Sequence, residues 1–114
     1  MRAYEIIAGS STLDGLRRCE RAEPKPQPTQ ILVRMRAAAL NYRDLLIARG
    51  HYMGGAVAAN TVPLSDGAGE VVAVGSAVTR FRIGELVAGT FFRGWIDGKP
   101  PRGPLAALGA PPAD

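Results

Sequence analysis

The stretch SDGAGEVVAVG, Ser65 to Gly75, decides the fold of this chain. Its glycine pair is either a loop that cradles a nucleotide phosphate or the entry to a strand. The dinucleotide fingerprint G-x-G-x-x-G needs a third glycine where Val72 stands, and a helix whose N-terminus faces the pyrophosphate. The chain has instead Val71, Val72 and Val74, whose branching at Cβ favours extended backbone over helix. The stretch therefore predicts a strand, with Gly67 and Gly69 at a bulge or at a close approach of another backbone. Asp66, next to Gly67, has the character of a turn residue.

Working outward, ILVRMRAAAL (31–40) alternates, so that Ile31, Val33, Met35 and Ala37 would face a core while Arg34 and Arg36 face water. NYRDLLIARG (41–50) then predicts one or two helical turns: Asn41 can cap, Asp44 sits near the positive end and Gly50 can end the helix in the left-handed conformation. HYMGGAVAANTVP (51–63) is a glycine-bearing loop. Nearer the start, RAYEIIAG (2–9) and GLRRCERAE (15–23) form a predicted hairpin across the turn-prone SSTLDG, and the proline-spaced EPKPQPTQ (23–30) is an extended connector. Beyond Gly75, GSAVTRFRIGE is turn-rich, ELVAGTFF (85–92) is a last strand, and RGWIDGKPPRGPLAALGAPPAD (93–114) is a loop crowded with Gly and Pro. Short strands with one small helix point to a mainly β fold, a barrel or a partly open sandwich.

At 114 residues the chain fits one domain, and 46% apolar with 21% charged residues is an ordinary globular balance. The net charge of +4 is scattered along the chain, whereas a nucleic-acid footprint is clustered, so nucleic acid is not an expected partner. The apolar runs are too short to span a bilayer. Cys19 is the one cysteine, which rules out an internal disulfide, and MRAYEIIAG lacks the apolar core of a signal peptide. Together these predict a cytoplasmic location.

A zinc site needs three or four Cys, His or carboxylate ligands, and the chain offers Cys19 and His51 far apart. His51 is expected at a loop surface and Cys19 as a strand filler. Asn41, Tyr42, Arg43 and Asp44 place an amide, a phenol, a guanidinium and a carboxylate in four consecutive residues at a strand-to-helix junction, where sites are often built. The same residues can also serve only to cap and pack.

NYRDLLIARGHY followed by PLSDGAGEVVAVGSAVTRFRIGELVAGTFF, with the early AYEII and the strand ILVRMRAAAL in order, resembles the N-terminal GroES-like catalytic domain of the medium-chain dehydrogenase/reductase family. The zinc-free, quinone-oxidoreductase-like members are the best match. The resemblance implies a GroES-like, partly open β-barrel with one short helix over 1–114, lacking the barrel's closing segment and the family's Rossmann nucleotide-binding domain. In the family's zinc alcohol dehydrogenases a cysteine stands at the position of Asn41 and a His-Glu pair at Ser65 and Asp66, and the four-cysteine structural zinc lobe has no counterpart here, so no metal is expected. Glu85 replaces the family's usual aspartate.

Carried over by position, Asn41 would hydrogen-bond substrate or nicotinamide, Tyr42 would pack on NAD(P)H, Asp44 would orient its neighbours and Tyr52 would contact the substrate. The function implied is hydride transfer between NAD(P)H and a quinone, enone or alcohol/carbonyl pair without zinc. Most cofactor contacts belong to the missing domain, so these residues alone are expected to be nearly inactive. A small-molecule substrate, and a homodimer in the longer protein, complete that expectation. Two alternatives stand beside it: the enoyl-reductase portion of a polyketide or fatty-acid synthase, and a noncatalytic barrel whose arginines meet an acidic partner.

Overall fold

The computed structural model describes residues 1–52, 55–92, 94–102 and 107–109, and much of the expected C-terminal loop lies outside them. Strands β1 (Arg2–Ile6) and β2 (Leu16–Glu20) form an antiparallel pair from Arg2↔Glu20 to Ile6↔Leu16, with a single 3-10 turn at Leu13–Gly15 between them. β2 is shorter than its predicted span and stops at Glu20. Strands β3 (Ile31–Ala39), β4 (Asp66–Val74) and β5 (Leu86–Ala88) make a second antiparallel sheet in that order. The one α-helix among the described residues, α1, is Tyr42–Ala48. Among the described residues the two sheets remain open, which gives the mainly β, partly open architecture with one short helix that the sequence implies.

β4 is the strand that the valine run predicts, and Gly67 and Gly69 lie within it. Opposite them the pairing slips from Met35↔Gly69 to Ala37↔Ala68, leaving Arg36 as the extra residue of a bulge. Gly69 is buried there, and a side chain on it would run into the Arg34 backbone and reach within 2.8 Å of Val33 Cγ1. Glycine is required by this close approach.

The same slips correct the expected inward face of β3. Ile31 and Val33 are half-buried, but Met35 is 56% exposed and Ala37 is exposed, because register shifts at Leu32/Val33 and Met35/Ala37 break the two-residue alternation. β5 is also shorter than ELVAGTFF predicts. The chain leaves the sheet after Ala88 and turns through Phe91 at φ +69°, and Phe92 makes only a single bridge to Ala107.

Ile6, Ile47, Ala48 and Val57 form the buried apolar cluster, with Tyr52 packed against it. The 55–63 segment is tied to the hairpin by Ile6 N–H to Thr61 O at 2.8 Å, Thr61 N–H to Ile6 O at 3.0 Å and Gly9 N–H to Val57 O at 2.8 Å. These bonds satisfy backbone groups that burial would otherwise leave unpaired. The cluster fixes the C-terminal half of α1 and so sets where its first residues point.

Candidate active site at the β3–α1–β4 junction

Ala39 at the end of β3 pairs with Asp66 at the start of β4, so sheet register alone brings Asn41 alongside Asp66. Asn41 Nδ2 donates to Asp66 Oδ2. One turn into α1, Asp44 reaches back and accepts the Asn41 backbone N–H through Oδ2 at 2.8 Å, the return arm of a capping box. Asp44 is 8% exposed, and its Oδ1 has no hydrogen-bond partner among the described residues. Ser65, 3% exposed, leaves its Oγ unpartnered in the same way. It comes directly after Leu64, a non-glycine residue at φ +74°. Unpaired buried polar atoms and left-handed non-glycine backbone both cost stability, and both concentrate at functional sites.

Behind this junction lies Arg43. Its guanidinium sits 4.8 Å from the Tyr52 ring centroid and 4.9 Å from that of Phe91, and Nη1 donates to the Leu108 carbonyl at 3.1 Å. Cation–π attraction to two rings and one hydrogen bond hold the guanidinium in place.

The structure thus brings Asn41, Asp44 and Asp66 together and sets Tyr52 beside the helix through Arg43. Tyr42, the first residue of the helix, has 74% of its surface exposed. Arg43, part of the sequence motif but without a role in it, is the residue that sequence reasoning missed. Its hydrogen-bond partner is 65 residues away in the chain, and no local pattern announces such a contact.

His51 is exposed. Cys19 lies opposite Ala3 in β2, where partial burial and then the Glu5 carboxylate push its thiol above the ordinary range, which disfavours the thiolate. Among the described residues no three His, Cys, Asp or Glu side chains converge as a metal-ligand set. No helix among them is long and apolar enough to cross a membrane.

Residues 27–102 match the alcohol dehydrogenase GroES-like domain, and the chain belongs to that family. It is 43% identical over 76 residues to the zinc-type alcohol dehydrogenase-like protein C1773.06c of Schizosaccharomyces pombe, covering 67% of this chain and 22% of that protein. It is 45% identical over 67 residues to a quinone oxidoreductase of Pseudomonas aeruginosa, covering 56% and 19%. A solved NAD-dependent alcohol dehydrogenase superposes with a TM-score of 0.69 at 30% identity, over 82% of this chain and 26% of that one. The chain thus spans about a fifth of the length of the two curated relatives.

Proposed function

We propose that these residues form the substrate-side domain of a zinc-independent oxidoreductase that moves hydride between NAD(P)H and a carbonyl, enone or quinone. The observation that carries this reading is the Asn41–Asp66 hydrogen bond. It stands where the resemblance puts a cysteine, at Asn41, and the glutamate of a His-Glu pair, at Asp66, with Ser65 in place of the histidine. An amide nitrogen is not a zinc ligand, and one oxygen of Asp66 is committed to it. The other Asp66 oxygen and the Ser65 hydroxyl fall short of the three nitrogen, sulfur or carboxylate donors of a catalytic zinc site.

The residues present suit a nicotinamide better. Tyr42 offers an exposed aromatic side chain at the start of the helix, one residue after the exposed Asn41. Asn41 and Tyr42 would hold that end of the cofactor, which when bound supplies or accepts the hydride. Asp66 fixes the rotamer of the Asn41 side chain, and Asp44 fixes the backbone on which it is carried. With its geometry set in advance, the amide orients a substrate oxygen and stabilises negative charge that develops on it. Tyr52, locked under Arg43, forms a wall for the substrate.

A chimera tests the proposal. Residues 27–102 replace the matching segment of the Pseudomonas aeruginosa quinone oxidoreductase, and NAD(P)H oxidation is followed with an enone and with a quinone. Turnover that falls on Asn41→Ala supports the reading. A folded, cofactor-binding chimera with no turnover on either substrate overturns it. The 114-residue chain by itself is expected to show none.

A further inference from the structure

The end of the proline-spaced connector, residues 23–30, is fastened to the turn that follows β4. Gly75 N–H donates to the Gln30 carbonyl and Ala77 N–H to the Pro28 carbonyl, both at 2.8 Å. Gln30 closes a turn on Gln27 twice: its backbone N–H donates to the Gln27 carbonyl at 2.9 Å, and its side-chain Oε1 accepts the Gln27 N–H at 3.0 Å. Gly75 is buried at this contact, and a side chain on it would run into the Gln27 and Pro28 carbonyls. Pro24 and Pro26 extend the connector with fixed φ, so the wall it forms is stiff before any ligand arrives.

That wall and the first residues of β3 line a groove of about 520 Å³, whose lining includes Pro24, Lys25, Ile31, Leu32 and Leu108. A second cavity of about 300 Å³ shares Thr29 and Ile31 with it and adds Arg80 and Phe81. Volumes of this size suit a small organic ligand. None of Asn41, Tyr42, Asp44, Tyr52, Ser65 and Asp66 lines either cavity, so the groove is separate from the candidate active site.

Its lining is apolar in one part and cationic in another. Ile31, Leu32 and Leu108 are half-buried, and an alkyl chain laid on them would take the rest of their surface out of water. Lys25 and Arg80 are exposed, and neither takes part in an ion pair among the described residues. No carboxylate among those residues lines either cavity, and Glu23, close to Lys25 in sequence, lines neither. A neutral apolar molecule would use the floor and leave the cations unmatched. A small inorganic anion would do the reverse. An aliphatic chain ending in one carboxylate uses both, and the lysine ammonium, a mobile point charge, suits a single head group.

We propose that this groove is a binding site for aliphatic carboxylates, with the tail along Ile31, Leu32 and Leu108 and the head group on Lys25. The site is independent of the oxidoreductase reading, and no covalent step is involved.

In the test, the full chain labelled with ¹⁵N is titrated with sodium octanoate, octylammonium chloride and sodium acetate at constant ionic strength, and its backbone amide resonances are followed. Octanoate should shift Gln30, Ile31, Leu32 and Leu108 along a saturable curve. Octylammonium, with the same tail and the opposite charge, should bind about fivefold more weakly, and Lys25→Gln should weaken octanoate by about two- to fivefold, the worth of one exposed ion pair. Acetate should produce no saturable shift. Equal affinity for octanoate and octylammonium overturns the proposal, because the contact would then be apolar alone. So does a response to acetate equal to that of octanoate, which would mean surface charge alone, or an octanoate response centred on the exposed Met35, Leu40 and Leu86 instead of the groove. The three ligands on the wild type decide the matter even if Lys25→Gln fails to fold. None of these readouts involves NAD(P)H or turnover, so an inactive chimera would sink the oxidoreductase reading and leave this binding result standing.

Discussion

The two ends of helix α1 do opposite things within seven residues. At the C-terminal end Ile47 and Ala48 are buried against Ile6 and Val57, an apolar contact with nothing left over. At the N-terminal end Asn41 and Arg43 are held by long-range polar contacts and Asp44 by a local one, and several buried atoms of Arg43 and Asp44 have no partner among the described residues. Burial of the last turn orients the helix, and that orientation keeps the polar first turn in place at some expense in stability. One end holds the fold and the other is available for chemistry.

The largest effect should come from the apolar end. Ile6 is 1% exposed, and Ile6→Ala should lower the unfolding free energy by about 2–5 kcal/mol, a large share of what a small domain has. Urea unfolding measures it, and a loss under about 1 kcal/mol would mean that this end is not what holds α1. At the polar end the balance reverses: Asn41→Ala should cost about 1 kcal/mol in the same assay while reducing turnover of the chimera on the order of 10²-fold. A variant that loses stability and keeps its turnover would erase the distinction between the two ends.

Gly69→Val tests the strand that delivers Asp66 to Asn41. Its side chain would meet the Arg34 backbone and Val33, and unfolding should be easier by about 1–3 kcal/mol. The smallest effect belongs to the sheet surface. The hydrogen bond from Arg36 at 2.8 Å, and then its charge, lower the Glu70 carboxyl below the ordinary glutamate value. A carboxylate depressed in the folded state adds stability above its unfolded value and loses it as pH falls through the folded value. Arg36→Gln should therefore lower Tm slightly at neutral pH, and the difference from wild type should vanish in acid. A difference that grows in acid would contradict the assigned direction of the Glu70 shift.

The strands and the helix were legible because their signals are local. The valine run after Gly69 sets β4, the arginines of β3 mark its wet face, and Asn41 with Asp44 marks the start of α1. What was not legible depends on partners distant in sequence. The alternation at Met35 and Ala37 failed because a bulge is a property of two strands and not of one. The last strand was overextended because Phe91 adopts a left-handed φ that its aromatic character argues against. At the site, the cap at Asn41 and the place of Asp44 in the first turn came from spacing, and the hydrogen bond between them did not. The Asp66 contact needed sheet register, and the Arg43 clamp needed residues 91 and 108 folded back onto the helix.

The most direct test of a hydrogen-bonded junction in place of a metal centre is the zinc content of the active chimera, measured together with its turnover before and after exhaustive chelation. Far less than one zinc per chain and unchanged turnover are the expected results. One zinc per chain, with turnover lost on chelation and restored by zinc, would contradict a junction held by Asn41 and Asp66 alone.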